Sequence, residues 1–151
     1  MHKITPFLWY NGNIKEAVDL YTSVFPAMKV IATSPGPGSS LMSATLEIDG
    51  QQVILFNGGP SHALSPAASL YVNCETQEEV DRLWSQLVEG GAESRCGWLV
   101  DRFGLSWQII PSVLPKLLGD PDREKAKRAL NAMLGMAKID IAGLERAANA
   151  A

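Results

Sequence analysis

The stretch Trp9-Tyr-Asn-Gly-Asn-Ile-Lys-Glu-Ala-Val-Asp-Leu-Tyr-Thr-Ser-Val24 joins an apolar run to a helix signal, and Tyr71-Val-Asn-Cys-Glu-Thr-Gln-Glu-Glu-Val-Asp-Arg-Leu-Trp-Ser-Gln86 repeats it 62 residues later. At that offset Asn11 meets Asn73, Glu16 meets Glu78, Val18 meets Val80, Asp19 meets Asp81, Ser23 meets Ser85, and Trp9 meets Tyr71. In the first copy Ile4 to Tyr10 reads as a strand around Pro6, and Asn11-Gly12-Asn13 supplies turn chemistry. Asn13 is placed to cap a helix with Glu16 three residues on, Ala17, Leu20, Tyr21 and Val24 form one apolar face, and Pro26 marks the end. In the second copy Leu70 to Asn73 is strand-like and Thr76 with Glu79 makes a capping box. Val80, Leu83, Trp84 and Leu87 form the apolar face, and Gly90-Gly91 stops the helix.

Three strands are expected after each helix. In the first half they are Met28 to Thr33, Leu41 to Ile48 and Gln52 to Phe56, with a loop at Ser34 to Ser40 and a tight turn at Asp49-Gly50. In the second half Ser94 to Val100 and Leu105 to Ile110 flank the turn Asp101 to Gly104, with a short strand before them. An offset of 54 sets Gly50 on Gly104 and Val53 to Leu55 on Trp107 to Ile109. The reading is an α+β chain with two βαβββ modules, about 4–58 and 67–111, in a domain spanning 1–111. A helical extension follows at 112–151. It comprises Ser112 to Leu118, a helix capped at Asp120-Pro121 with Ala126, Leu130, Met133 and Leu134 on one face, and a last helix from Ile139 to Ala148. Modules of about 55 residues bury only about 60% of their surface and are not expected to be stable alone.

Composition removes several function classes. The 151 residues are 46% hydrophobic and 19% charged, which places the chain among globular proteins. A formal net charge of −3 provides no basic stripe for nucleic acid. The cluster Arg123, Lys125, Lys127 and Arg128 alternates with acids and reads as a solvated helix face. No apolar run reaches the length of a signal peptide or a membrane span, so the expectation is a cytoplasmic protein with no membrane partner. Cys74 and Cys96 form no Cys-x-x-Cys pair and are expected as free thiols, although spacing alone leaves a disulfide between them open.

The segments Pro6-Phe-Leu-Trp-Tyr-Asn-Gly-Asn13, Glu16-Ala-Val-Asp-Leu-Tyr21, Phe56-Asn-Gly-Gly-Pro60, Cys96-Gly-Trp-Leu-Val-Asp-Arg-Phe-Gly-Leu-Ser-Trp-Gln-Ile-Ile-Pro111 and Asn131-Ala-Met133 together resemble the PhnB-like proteins. These are also labelled demethylubiquinone methyltransferase-like, and fall within the vicinal oxygen chelate superfamily of glyoxalases, extradiol dioxygenases and bleomycin-resistance proteins. The resemblance implies two modules forming a glyoxalase-like curved sheet, commonly completed as a homodimer. In the superfamily's metalloenzymes it implies divalent-metal ligands on the first and last strands of each module. Here those positions fall near Pro6 or Phe7, at Ser69, near Ile54 to Asn57, and at Gln108. One amide and one hydroxyl are not a metal site, and the chain holds only His2 and His62. No metal and no cofactor are therefore expected. Methyl transfer from S-adenosylmethionine is not expected either, because Gly36, Gly38, Gly58 and Gly59 do not lead a first strand into a helix.

Strand alternation groups what is left. Phe7, Trp9 and Asn11 share one face of the first strand, Ser69, Tyr71 and Asn73 share the equivalent face, and Ser106, Gln108 and Ile110 share one face of the last. Trp107 then faces the helices. The candidate ligand-binding set is Phe7, Trp9, Asn57, Ser69, Tyr71, Trp98 and Gln108, suited to a small aromatic or weakly polar molecule. Asp101, Glu47 and Asp49 read as ordinary turn or surface carboxylates. The competing readings are a divergent metal-dependent lyase, isomerase or dioxygenase-type enzyme using Gln108 with Glu47 of a second copy, and a partner-binding dimer with an exposed apolar patch on the C-terminal helices.

Overall fold

In the computed structural model, which describes residues 2–150, the first ladder begins at the carbonyl of Pro6, which accepts from the Ile54 N–H at 2.9 Å. Proline has no N–H to pair, so β1 is Phe7–Tyr10 and Ile4, expected inside the strand, is 86% exposed. The elements that follow are α1 (Ile14–Val24), β2 (Lys29–Pro35), β3 (Leu41–Ile48) and β4 (Gln51–Asn57), then β5 (Ser69–Cys74), α2 (Gln77–Val88), β6 (Ala92–Glu93), β7 (Trp98–Val100) and β8 (Ser106–Pro111). Each half is thus the expected βαβββ unit. The strand orders are β1-β4-β3-β2 in sheet A and β5-β8-β7-β6 in sheet B, with the outer first strand parallel to the last in both. The chain divides into two compact units, Met1–Ser65 and Pro66–Ala151.

In the first unit α1 buries Ile14, Ala17, Val18, Tyr21 and Val24, and the sheet side of that core contains Leu8, Tyr10, Ala44, Leu46 and Leu55. Each large apolar side chain there contributes about 1.5–3 kcal/mol by leaving water. The Tyr10 and Tyr21 hydroxyls meet at 3.1 Å within it. The β3–β4 turn places Asp49 at φ 50° and Gly50 at φ 79°, the left-handed pair that a two-residue hairpin needs. Asn13 stands at the N-cap of α1 but makes no side-chain cap bond, contrary to the sequence reading. Its place is taken by Asn57 at the end of β4, whose Oδ1 accepts from the Ile14 N–H at 3.2 Å while Nδ2 donates to the Leu41 carbonyl at 2.8 Å.

In the second unit Val80, Leu83, Trp84 and Leu87 of α2 are buried, as are Leu99, Trp107 and Ile109 of the sheet. Thr76 caps α2 by accepting from the Glu79 N–H at 3.2 Å, and Glu79 reaches back to the N–H of Glu75 at 2.9 Å. The strand expected over Ser94 to Val100 is broken by a tight turn with Cys96 at φ 59° and Gly97 at φ 85°. Register also corrects the internal alignment. Trp9 pairs with Phe56 and Tyr71 with Gln108, so Phe56 corresponds to Gln108, an offset of 52 where the glycine match suggested 54. The two-residue turn of the first module is replaced by the longer Asp101 to Leu105 turn in the second, which shifts the glycines but, being an even slip, leaves every side chain on its expected face.

The extension forms α3 (Val113–Leu118), α4 (Arg123–Leu134) and α5 (Ile141–Asn149). Leu114, Leu117, Ala129, Ile139, Leu144 and Ala148 cluster with Ile110 of β8, which anchors these helices to the second unit. The cap of α4 is Asp122, accepting from the N–H groups of Glu124 and Lys125, two residues beyond the expected Asp120. Asp120 instead accepts from the N–H of Asp122 at 2.9 Å. Arg128 is only partly solvated: its guanidinium donates to the Ala147 and Ala148 carbonyls that end α5. Cys74 and Cys96 are both free thiols. Among the described residues, no helix is long and apolar enough to cross a membrane.

Candidate functional site

Each sheet has one face on its helix and one face turned away from it, and the predicted site residues other than Asn57 fall on the second kind. On sheet A, alternation sends Leu8 and Tyr10 to the core and leaves Phe7 and Trp9 on the other side. The parallel register brings Phe56 beside them. Its ring centroid lies 5.2 Å from Phe7 and 5.2 Å from Trp9, the latter edge-on. Trp9 is fixed further by its indole N–H, which donates to the Gly59 carbonyl at 2.9 Å, and by His62, whose ring stands edge-on at 4.8 Å. A Cβ at Gly58 would overlap the Trp9 indole, so this position requires glycine for close approach. The Phe56 to His62 segment therefore wraps Trp9, while the Phe7 ring remains 56% exposed at the edge of the cluster.

On sheet B the register sets Tyr71, Gln108 and Trp98 in one row across β5, β8 and β7. The next row holds Ser69, Ser106 and Val100. Gln108 Nε2 donates to Ser69 Oγ at 2.9 Å. Ser106 is buried, and its Oγ has no hydrogen-bond partner among the described residues. Tyr71 is 50% exposed, yet its phenol is held above the ordinary tyrosine value, first by desolvation and then by the Cys74 thiol. It is a neutral hydrogen-bonding group at physiological pH.

The seven predicted residues thus separate into Phe7 and Trp9 in the first unit and Ser69, Tyr71, Trp98 and Gln108 in the second, with Asn57 apart. The Asn57 amide is taken up in joining β4, β3 and α1. Phe56 and His62 belong to the first cluster and were not in the sequence-derived set. Phe56 was within reach, because a parallel β1–β4 pairing with matched alternation places it next to Trp9. Nothing in the sequence marks His62 as an aromatic neighbour.

The positions where the resemblance implies metal ligands offer few donors. They are filled by Phe7, Ser69, the Ile54 to Asn57 segment and Gln108, and Asn57 already serves the backbone. An aromatic ring, a hydroxyl and an amide do not fit a divalent cation. Among the described residues no group of three His, Cys, Asp or Glu side chains comes together. Glu47 accepts from Gln52 Nε2 at 2.8 Å. Asp101 is buried and holds its own turn, accepting from the N–H groups of Phe103 and Leu105 and from the Trp107 indole. A separate groove of about 400 Å³ on the extension is lined by Leu118, Arg123, Glu124, Ala126, Lys127 and Leu130.

Residues 2–110 match the profile of a family described as 3-demethylubiquinone-9 3-methyltransferase, a span that ends one residue before β8 does. Among solved structures, the PhnB protein from Bacillus cereus is 32% identical over 74% of this chain and 100% of its own, with a TM-score of 0.68. Protein PA1353 from Pseudomonas aeruginosa is 24% identical over 71% of this chain and 95% of its own, with a TM-score of 0.59. A glyoxalase-related enzyme from Fulvimarina pelagi is 16% identical over 70% and 86%, with a TM-score of 0.50, a likeness of fold alone. No curated protein matches the chain.

Proposed function

From the premise that this chain belongs to the PhnB-like family described as 3-demethylubiquinone-9 3-methyltransferase, we propose that it is a metal-free binding protein for small, flat, weakly polar molecules. The observation that carries this reading is the placement of aromatic rings on the sheet faces turned away from α1 and α2. Phe7 and Tyr71 remain 56% and 50% exposed at strand positions that the core does not use. Aromatic rings gathered on one strand face are the kind of apolar surface that meets a ligand or a partner. Binding is preferred here to methyl transfer because neither sheet is doubly wound. Gly58 and Gly59 also lead β4 into the loop around Trp9 and not into a helix that would receive a cofactor phosphate. A homodimeric state, which the family resemblance implies, and a cytoplasmic location, expected from the lack of a long apolar run, belong to the same proposal.

A thermal-shift screen tests the function. Flat aromatic compounds at a hundred times their dissociation constant should stabilise the fold by about 2.7 kcal/mol, whereas aliphatic compounds and Ni, Mn, Fe or Zn salts should not. Saturable stabilisation by one of these metals, with turnover of a substrate, would favour the metal-dependent enzyme instead.

A further inference from the structure

Building on the reading that the protein binds flat molecules, we infer that the Tyr71–Gln108–Trp98 row of sheet B is a slot selective for a ring carrying an N–H next to a C=O, the edge of a cyclic amide. β5 and β7 both neighbour β8, and both pair an aromatic residue with Gln108. Strands about 4.8 Å apart separate the Tyr71 and Trp98 backbones by about 9–10 Å. A flat ring between two others needs about 7–8 Å at carbon contact distances of about 3.5–4.0 Å. The rings are the walls of this slot and Gln108 is its floor.

The hydrogen bond beneath the row sets the selectivity. Gln108 Nε2 donates to Ser69 Oγ at 2.9 Å, which turns Oε1 into an acceptor that has no partner among the described residues. Ser69, having accepted that bond, retains its own proton to donate. An acceptor beside a donor is complementary to a ligand donor beside a ligand acceptor. A second observation points the same way: Ser106 lies opposite Ser69 in the ladder, is 1% exposed, and its hydroxyl has no hydrogen-bond partner among the described residues. A buried hydroxyl in that state is costly unless a ligand group completes it. At the far end of this face Ile110 is covered by the α3–α5 cluster, so the slot is closed there and open beside Tyr71.

Quinolin-2(1H)-one and 2-methoxyquinoline share a ring system, but only the first has the N–H and C=O edge. Titration of each into the full chain, followed by the indole N–H of Trp98 and the side-chain amide of Gln108 in NMR spectra, reads both site and affinity. The lactam should bind about tenfold tighter than the ether. Gln108→Leu should abolish that preference while both compounds still stack, and Tyr71→Ala, at an exposed position, should weaken both alike. Equal affinity in the unaltered protein, or a preference surviving Gln108→Leu, overturns the inference while leaving aromatic binding in place. Failure of both compounds and of naphthalene to bind overturns the inference together with the function on which it rests.

Discussion

Replacing Asp101 tests how the second module is held together. The carboxylate is 2% exposed, with Oδ1 accepting from the N–H groups of Phe103 at 2.9 Å and Leu105 at 3.0 Å, and Oδ2 from the Trp107 indole at 2.9 Å. Asp101→Ala leaves all three donors without this acceptor. Phe103 is close enough to solvent to recruit water, but Leu105 and Trp107 are each 2% exposed. At about 1–3 kcal/mol for each buried donor left unpaired, the loss is about 2–6 kcal/mol, a large part of the 5–15 kcal/mol typical of a whole domain. Asp101→Asn keeps the size and one oxygen for the two backbone donors but turns an NH₂ toward the indole N–H. Its cost should therefore be about 1–3 kcal/mol. Adding Trp107→Phe to Asp101→Asn removes the opposed donors and should give a favourable coupling in a double-mutant cycle, apart from the cost of shrinking the indole. Urea unfolding with an unchanged slope is the assay. A loss below 1 kcal/mol for Asp101→Ala, or equal losses for alanine and asparagine, would refute the assignment of this carboxylate as the clasp of the turn.

Three further outcomes follow from other parts of the molecule. Gly58→Ala should push the Trp9 ring off the Phe56 to His62 segment at a cost of about 1–3 kcal/mol for overpacking. Loss of the Trp9–His62 nuclear Overhauser contacts would report it, and an unchanged Trp9 environment would contradict the packing described. Burial pushes the Cys74 thiol up to about 12, so an aromatic disulfide reagent at pH 8 should modify only Cys96 in the native protein and both thiols after denaturation. Asp81 is held below the ordinary carboxylate range first by Lys138 and then by Gln77, and Asp120 first by the Asp122 N–H and then by Lys125. Both folded values lie below the unfolded ones, so the stabilisation is complete above the unfolded value, near pH 4, and is lost as pH falls through the folded values. Lys138→Met should flatten this acid limb in urea midpoints measured between pH 6 and pH 2, and an unaltered acid limb would exclude the Asp81 pair as its source.

The duplicated unit was legible because periodicity survives divergence. The capping box at Thr76, the helix faces of α1 and α2 and the Asp49-Gly50 turn depend on local chemistry and stand where the sequence placed them. Two misplaced features involve partners distant in sequence, whereas the α4 cap moved only from Asp120 to Asp122. The α1 cap passes from Asn13 to Asn57, 43 residues from the N–H it serves. Arg128 finds the α5 carbonyls across the packed extension. The turn at Cys96-Gly97 was hidden because cysteine is no turn signal, even though it adopts a left-handed conformation there. For the candidate site, alternation identified the correct strand faces. Only the ladder register could show that Tyr71 and Trp98 flank Gln108.

Chemical-shift mapping of aromatic fragments on the labelled full chain addresses the binding function most directly. Perturbations that saturate and concentrate on Phe7 and Trp9 or on Tyr71, Trp98 and Gln108 are the predicted result. The contrary result is that no aromatic fragment perturbs these side chains at millimolar concentration, or that the shifts gather instead on the Leu118, Lys127 and Leu130 groove of the C-terminal helices.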